Sequence, residues 1–317
     1  MFTFSDRVKD CRLSAIKRMT MLGKSHQDPI FLSWGRPSES TPDIINNYVI
    51  HELRNNPDVG KYTLPHGLPE LRETIAKYQL ENRGYDPDPD SQIIVTVGAM
   101  EAMFITMQTL LNQGDEVIMT SPGFASYIQQ IKFAGGVAKY SNLDEENGWD
   151  INIDSLRKSI TDRTKAIILT SPNNPTGSVF SEEKIREVVE IAKKHDIYLI
   201  TDEIYDFLIF DDKKYFVPSM MMDKYEKIIA VYSLSKRYSM TGWRIGYIVA
   251  NEKFIETAVK IHDSASICAC TIAQYGAIAA LENDSKIVPE IVSNYNLRIW
   301  IGIVSSVLQL ILSNSLS

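Results

Sequence analysis

The stretch Ile228–Tyr247, IIAVYSLSKRYSMTGWRIGY, governs how the rest of the chain is read. It opens with an apolar, β-branched run, Ile228–Tyr232, short enough for a buried strand. The run passes directly into Ser233-Leu234-Ser235-Lys236, and Arg244 follows the lysine eight residues later. A lone lysine is ordinarily a solvated surface charge. Two hydroxyls and a guanidinium close to it, at the end of a strand, suit the recognition of a phosphate instead. A second apolar run, Ile245–Val249, follows at once.

Outward from this segment, similar runs recur at Ile93–Val97, Glu116–Thr120, Ala166–Thr170 and Ile197–Thr201. Helical patterns lie between them. Leu68, Leu71, Ile75 and Tyr78 share one helix face, and Ile185, Val188, Val189 and Ala192 share another. Ser181 precedes the second pattern as an N-cap, with Glu182 and Glu183 in the positive first turn. This alternation predicts an α/β fold with a mainly parallel sheet flanked by helices. In such sheets ligands gather at the carboxyl ends of the strands, so the loops there are where chemistry belongs.

Those loops carry polar residues. SPNNPTG, Ser171–Gly177, is a turn that is either punctuation or part of a site. Asp202-Glu203-Ile204-Tyr205 is either a helix cap with a core tyrosine, or an acid able to pair with a protonated heteroaromatic nitrogen. Val97-Gly98-Ala99-Met100-Glu101 is either an ordinary strand-to-helix turn or a helix start whose N–H groups face a dianion. Pro122-Gly123-Phe124 sets an aromatic after another strand.

Composition narrows the classes. The 317 residues are 44% apolar and 23% charged, ample for a packed core. The net charge of −7 and the lack of a basic block argue against a nucleic-acid partner and for a small molecule. Cys11, Cys268 and Cys270 suggest neither a disulfide framework nor a zinc site, which fits a reducing cytoplasm. The first twenty residues lack the apolar centre of a signal peptide. Ile299–Leu312 is shorter than the roughly 20 residues of a spanning helix and reads as a core helix, so no membrane association is expected.

Taken in order, SPNNPTG, DEIY and SLSKRYSMTGWRIGY resemble the class I/II, fold-type-I pyridoxal-phosphate aminotransferases of the aspartate aminotransferase kind, over roughly residues 4–298. The resemblance implies that Lys236 holds pyridoxal 5′-phosphate as an imine and carries the proton between substrate α-carbon and cofactor C4′. It implies that Asp202 pairs with the pyridine nitrogen, while Asn174 and Tyr205 bond the phenolic oxygen. Ser233, Ser235, Arg244 and the amides of Ala99 and Met100 would hold the phosphate, and Phe124 would lie against the ring. Gly35 and Asn174 would border the substrate, and Tyr62 would reach the phosphate of a second subunit in a homodimer.

The implied organisation is an N-terminal arm with part of a small domain over 1–42, a cofactor-binding large domain over 43–285, and the start of an incomplete small α+β domain over 286–317. Amino-group transfer between an amino acid and a 2-oxo acid is the implied reaction. Related members of the fold run elimination or decarboxylation, and a silent cofactor-binding or dimerisation module is a third reading. The family's carboxylate-clamping arginine has no counterpart here, because no charged residue follows Arg298. A gene fragment, a shifted frame near Ile299 or a natural protein that binds its substrate differently would account for this, the first two being the expected reasons.

Overall fold

All six apolar runs form strands in the computed structural model, which describes residues 2–9, 11, 15–29, 35–211 and 213–315, with side chains up to 299 except that of residue 15. In chain order the elements are α1 (Asp6–Lys9), α2 (Ala15–Gly23), α3 (Asp43–Asn55), α4 (Pro69–Arg83), β1 (Ile93–Thr96), α5 (Gly98–Leu110), β2 (Glu116–Ser121), α6 (Ser126–Phe133), β3 (Val137–Asp144) and β4 (Asp150–Ile151). There follow α7 (Ile153–Ser159), β5 (Thr164–Thr170), α8 (Glu182–His195), β6 (Tyr198–Asp202), a 3-10 turn (Pro218–Met221), β7 (Ile228–Ser233), α9 (Leu234–Arg237), β8 (Gly246–Val249), α10 (Glu252–Ser266), α11 (Thr271–Glu282) and α12 (Asp284–Ser315).

The strands make one sheet in the order β1-β8-β7-β6-β5-β2-β3-β4. The pairs from β7 across to β3 are parallel; β8 lies antiparallel between β7 and β1, and β4 antiparallel beside β3. This is the expected α/β fold with a mainly parallel sheet. β3 and β4 are additions to the sequence-based reading. Most of β3 is exposed or half-buried, so it lacks the apolar run that betrays a central strand.

Alternation along the central strands sends side chains to two separate cores. Ile167, Leu169 and Leu199 join the core with Ile75 of α4, Ile185, Val188 and Val189 of α8, and Ala277 of α11. Ile168 and Ile200 face Met103 of α5, Tyr127 and Ile131 of α6, and Phe254 of α10. Each fully buried Ile or Leu contributes about 1.5–3 kcal/mol relative to exposure, so covering both faces makes the sheet a rigid platform. The Ser181 cap forms as read, its Oγ accepting from Lys184 N at 3.4 Å. The α4 pattern starts one residue late, because Leu68 is the cap and Pro69 the first helical residue.

Residues 299–312 are helical in backbone. Their expected burial concerns side chains beyond 299, outside the described residues, as does the part of the N-terminal arm at 30–34. Among the described residues no helix is long and apolar enough to cross a membrane.

Candidate active site

Topology explains why residues far apart in sequence meet. β2, β5, β6 and β7 are adjacent and parallel, so the loops after them open at one edge of the sheet. These loops bring Phe124, Asn174, Asp202 with Tyr205, and Ser233 with Lys236. Because β8 is antiparallel to β7, its leading residue Arg244 lies at the same edge. β1, antiparallel to β8 in turn, delivers Gly98 there.

The Gly98–Arg244 corner is tight. Gly98 has φ +75°, and a Cβ on it would come within 2.8 Å of Arg244 Nη2, so only glycine lets the guanidinium lie against the start of α5. Gly246 is equally constrained, since a Cβ there would sit 2.5 Å from Tyr232 O and 3.0 Å from Ala99 N. The first-turn amides of Ala99 and Met100 have no acceptor within their own helix. Glu101 fixes this turn from behind: Oε2 accepts from Val97 N at 2.5 Å and Oε1 lies 3.1 Å from His262 Nδ1. Ser233 Oγ accepts from Ser235 N at 3.2 Å, leaving its own proton free to point elsewhere. A guanidinium, two hydroxyls and a helix start together make an anion cradle.

Asp202 ends β6 and is 3% exposed. Its Oδ2 accepts from the Tyr127 hydroxyl, and Oδ1 accepts from Ile204 N at 3.3 Å. Burial outweighs these bonds and pushes the carboxyl up to about 6. Tyr127 also lies 3.2 Å from Thr170 Oγ1, and Phe124 meets its ring edge-on at 5.3 Å. Asn174 Nδ2 donates to the Tyr205 hydroxyl at 3.2 Å, joining the loops after β5 and β6. Burial, then the Asp202 charge, raises the Tyr205 phenol.

Lys236 Nζ donates to the Gly35 carbonyl, and burial alone lowers its pKa toward the neutral amine. A Cβ on Gly35 would lie 3.7 Å from that nitrogen. The segment carrying Gly35 is tied down nearby, with Thr41 Oγ1 donating to Ser239 O at 2.9 Å and accepting from Trp243 Nε1 at 3.0 Å. Tyr62 stands apart from this group, 79% exposed. Tyr127 and Thr170 were not singled out from the sequence; Tyr127 lies in the first turn of α6, three residues past Phe124.

Comparison with known proteins agrees with this geometry. The chain matches the family aminotransferase class I and II over residues 32–300. It is 38% identical over 302 residues to the probable aspartate aminotransferase of Methanocaldococcus jannaschii, an alignment covering 93% of this chain and 77% of that one. It is 38% identical over 263 residues to the aspartate aminotransferase of Thermotoga maritima, covering 83% and 69%. Among solved structures, aspartate aminotransferase from Thermus thermophilus with maleate superposes with a TM-score of 0.87 at 32% identity, covering 94% and 78%. The aromatic aminotransferase from Pyrococcus horikoshii gives 0.82 at 34% identity, covering 90% and 76%. A parallel sheet that gathers an amine, a buried acid and an anion cradle at one edge, and a family match over most of its length, make this chain a member of the class I and II aminotransferases.

Proposed function

We propose that this aminotransferase binds pyridoxal 5′-phosphate with Lys236 as its covalent anchor and moves an amino group from an amino acid to a 2-oxo acid in a ping-pong sequence. One observation carries the reading: a single sheet edge holds an amine whose pKa burial lowers, a buried carboxyl, and a guanidinium–hydroxyl–amide cradle. The dimensions favour the cofactor. The missing Cβ of Gly98 leaves Arg244 flush with the helix start, where a phosphate meets both, and Asp202 is a buried acid with acceptor capacity left over.

When bound, pyridoxal 5′-phosphate supplies an aldehyde that condenses with amines and a pyridinium ring that takes up the electron pair left by a departing α-proton. The protein's own groups do the rest. Arg244, Ser233, Ser235 and the amides of Ala99 and Met100 hold the phosphate oxygens. Asp202 keeps a proton on the pyridine nitrogen, and Tyr127 holds Asp202 in place. Asn174 and Tyr205 donate to the phenolic oxygen, and Phe124 covers a ring face. The Lys236 amine would be the base that accepts the substrate α-proton and the acid that delivers it to C4′ of the bound cofactor. Gly35 leaves room beside that amine for the substrate carboxylate.

The exposed Tyr62 supports a homodimer in which it reaches the neighbouring subunit's phosphate, and the division into 1–42, 43–285 and 286–317 follows the same reading. A cytoplasmic location belongs to it as well. Aspartate and aromatic amino acids are the first donors to try, because the relatives are named for them.

Single-turnover analysis tests the proposal. The cofactor-loaded protein given L-aspartate alone should form one equivalent of oxo acid and retain the amino group, then pass it to added 2-oxoglutarate. Release of ammonia would mark a lyase and release of carbon dioxide a decarboxylase. No oxo acid from any donor would mark a silent binding module.

A further inference from the structure

Three of the proposed site residues are each followed by a charged residue that turns away from the site. Glu203 follows Asp202, Asp206 follows Tyr205, and Arg237 follows Lys236. Their side chains are only 0%, 7% and 13% exposed. Whereas Asp202 meets Tyr127 of α6, Glu203 meets Arg83 at the end of α4, on the other face of the sheet.

The three are parts of one buried ionic chain. Arg83 Nε lies 3.2 Å from Glu203 Oε2, and its Nη2 bonds Asp206 Oδ2. Asp206 Oδ1 accepts from Arg237 Nη1 at 3.1 Å. Arg237 then forks onto Asp284, the first residue of α12, at 2.6 and 2.9 Å. Tyr238 completes the end of the chain, donating to Asp284 Oδ1 at 2.5 Å. Asp206 is the central link, each of its oxygens taking a different arginine. Aromatic rings flank the guanidiniums: the Tyr215 ring centre lies 5.3 Å from that of Arg83, and the Tyr78 and Phe207 ring centres lie 5.6 and 5.8 Å from that of Arg237.

A buried ion chain of this kind is weak evidence for stability, since well-packed apolar side chains of equal volume serve as well. What charges add is direction. Each guanidinium satisfies its carboxylates only at one separation and angle, and an unpaired member left in this apolar setting is costly. We infer that the chain Glu203–Arg83–Asp206–Arg237–Asp284 is the positioning device of the active site, fixing the strand end that carries Asp202 relative to the turn that carries Lys236. These are positioning residues: they bond one another, with Thr201 and Tyr238 at the two ends of the chain, and they act through Asp202, Tyr205 and Lys236.

The inference rests on the cofactor reading of Lys236 and is tested alongside it. Asp206→Asn preserves shape but removes the charge that joins the two arginines. In the cofactor-loaded enzyme it should lower kcat by about 10–100-fold, the scale of a misplacement near 1 Å, with KM for the amino donor within about twofold. The visible circular dichroism of the bound cofactor, which reports its orientation, should weaken in parallel. Tyr225→Phe is the control. It removes a buried hydroxyl that bonds Ala192 O and Ile197 O, outside the ionic chain, and should cost thermal stability without changing kcat or the dichroism.

If Asp206→Asn does not fold, Arg237→Lys decides the matter. It keeps the charge but cannot fork onto Asp284 while reaching Asp206, so it should give the same split between kcat and KM. Variants that lose only thermal stability, with wild-type dichroism and kcat, overturn the inference and leave the cofactor reading intact. A wild-type protein that acquires no visible band with pyridoxal 5′-phosphate overturns both.

Discussion

Replacing Asp202 by asparagine should stabilise the cofactor-free protein while disabling the loaded one. Asp202 is raised from 3.8 to about 6 in the folded chain, with desolvation the largest cause. A raised carboxyl favours the fold only while protonated. Below about pH 4 it is protonated in both states and costs nothing; between about pH 4 and 6 the unfolded chain ionises first and stability drains away; above about pH 6 the loss levels off. A shift of roughly two units corresponds to about 3 kcal/mol at that plateau. Asparagine carries no charge at any pH, and its Oδ1 can still accept from Tyr127. The stability difference between Asp202→Asn and wild type should therefore grow from nearly zero at about pH 4 to as much as about 3 kcal/mol at about pH 7. Urea unfolding of both cofactor-free proteins across this range measures it. A difference that stays flat with pH, or that favours wild type at neutral pH, would refute the assignment of Asp202 as an acid strained by burial. Cofactor should reverse the order, because a protonated pyridine nitrogen stabilises the carboxylate and does nothing comparable for the amide.

Two further substitutions probe other parts of the site and scaffold. Gly98→Ala forces a side chain into φ +75° and against Arg244 Nη2; a strain of about 1–2 kcal/mol and a displaced guanidinium should weaken cofactor binding by about tenfold, read by equilibrium titration of the apoprotein. Ser181→Ala removes the α8 cap, which bonds none of the proposed site residues, and should cost about 1 kcal/mol of unfolding free energy in urea with no change in turnover.

How much was readable beforehand depended on whether the physics is local. Strands covered on both faces must be apolar throughout, so β1, β2 and β5–β8 showed as continuous runs, whereas β3, VAKYSNLD, is mostly exposed or half-buried and showed none. The loops after the parallel strands were legible because each carries its polar residues directly after such a run, as Asp202 and Lys236 do. Tyr127 was not, since a tyrosine inside a helix looks like core until a partner such as Asp202 is found 75 residues away. The ionic chain was hidden for a related reason. Arg83, Asp206, Arg237 and Asp284 are residue types that usually sit in water, and only tertiary packing shows them buried together.

The central claim is that the Lys236 amine is the covalent anchor for pyridoxal 5′-phosphate, and borohydride reduction tests it most directly. Protein incubated with the cofactor, reduced and digested should yield one modified peptide by mass spectrometry, with the phosphopyridoxyl group on Lys236 and the yellow colour bleached. A label on another lysine, or no label at all on folded protein, would contradict the account.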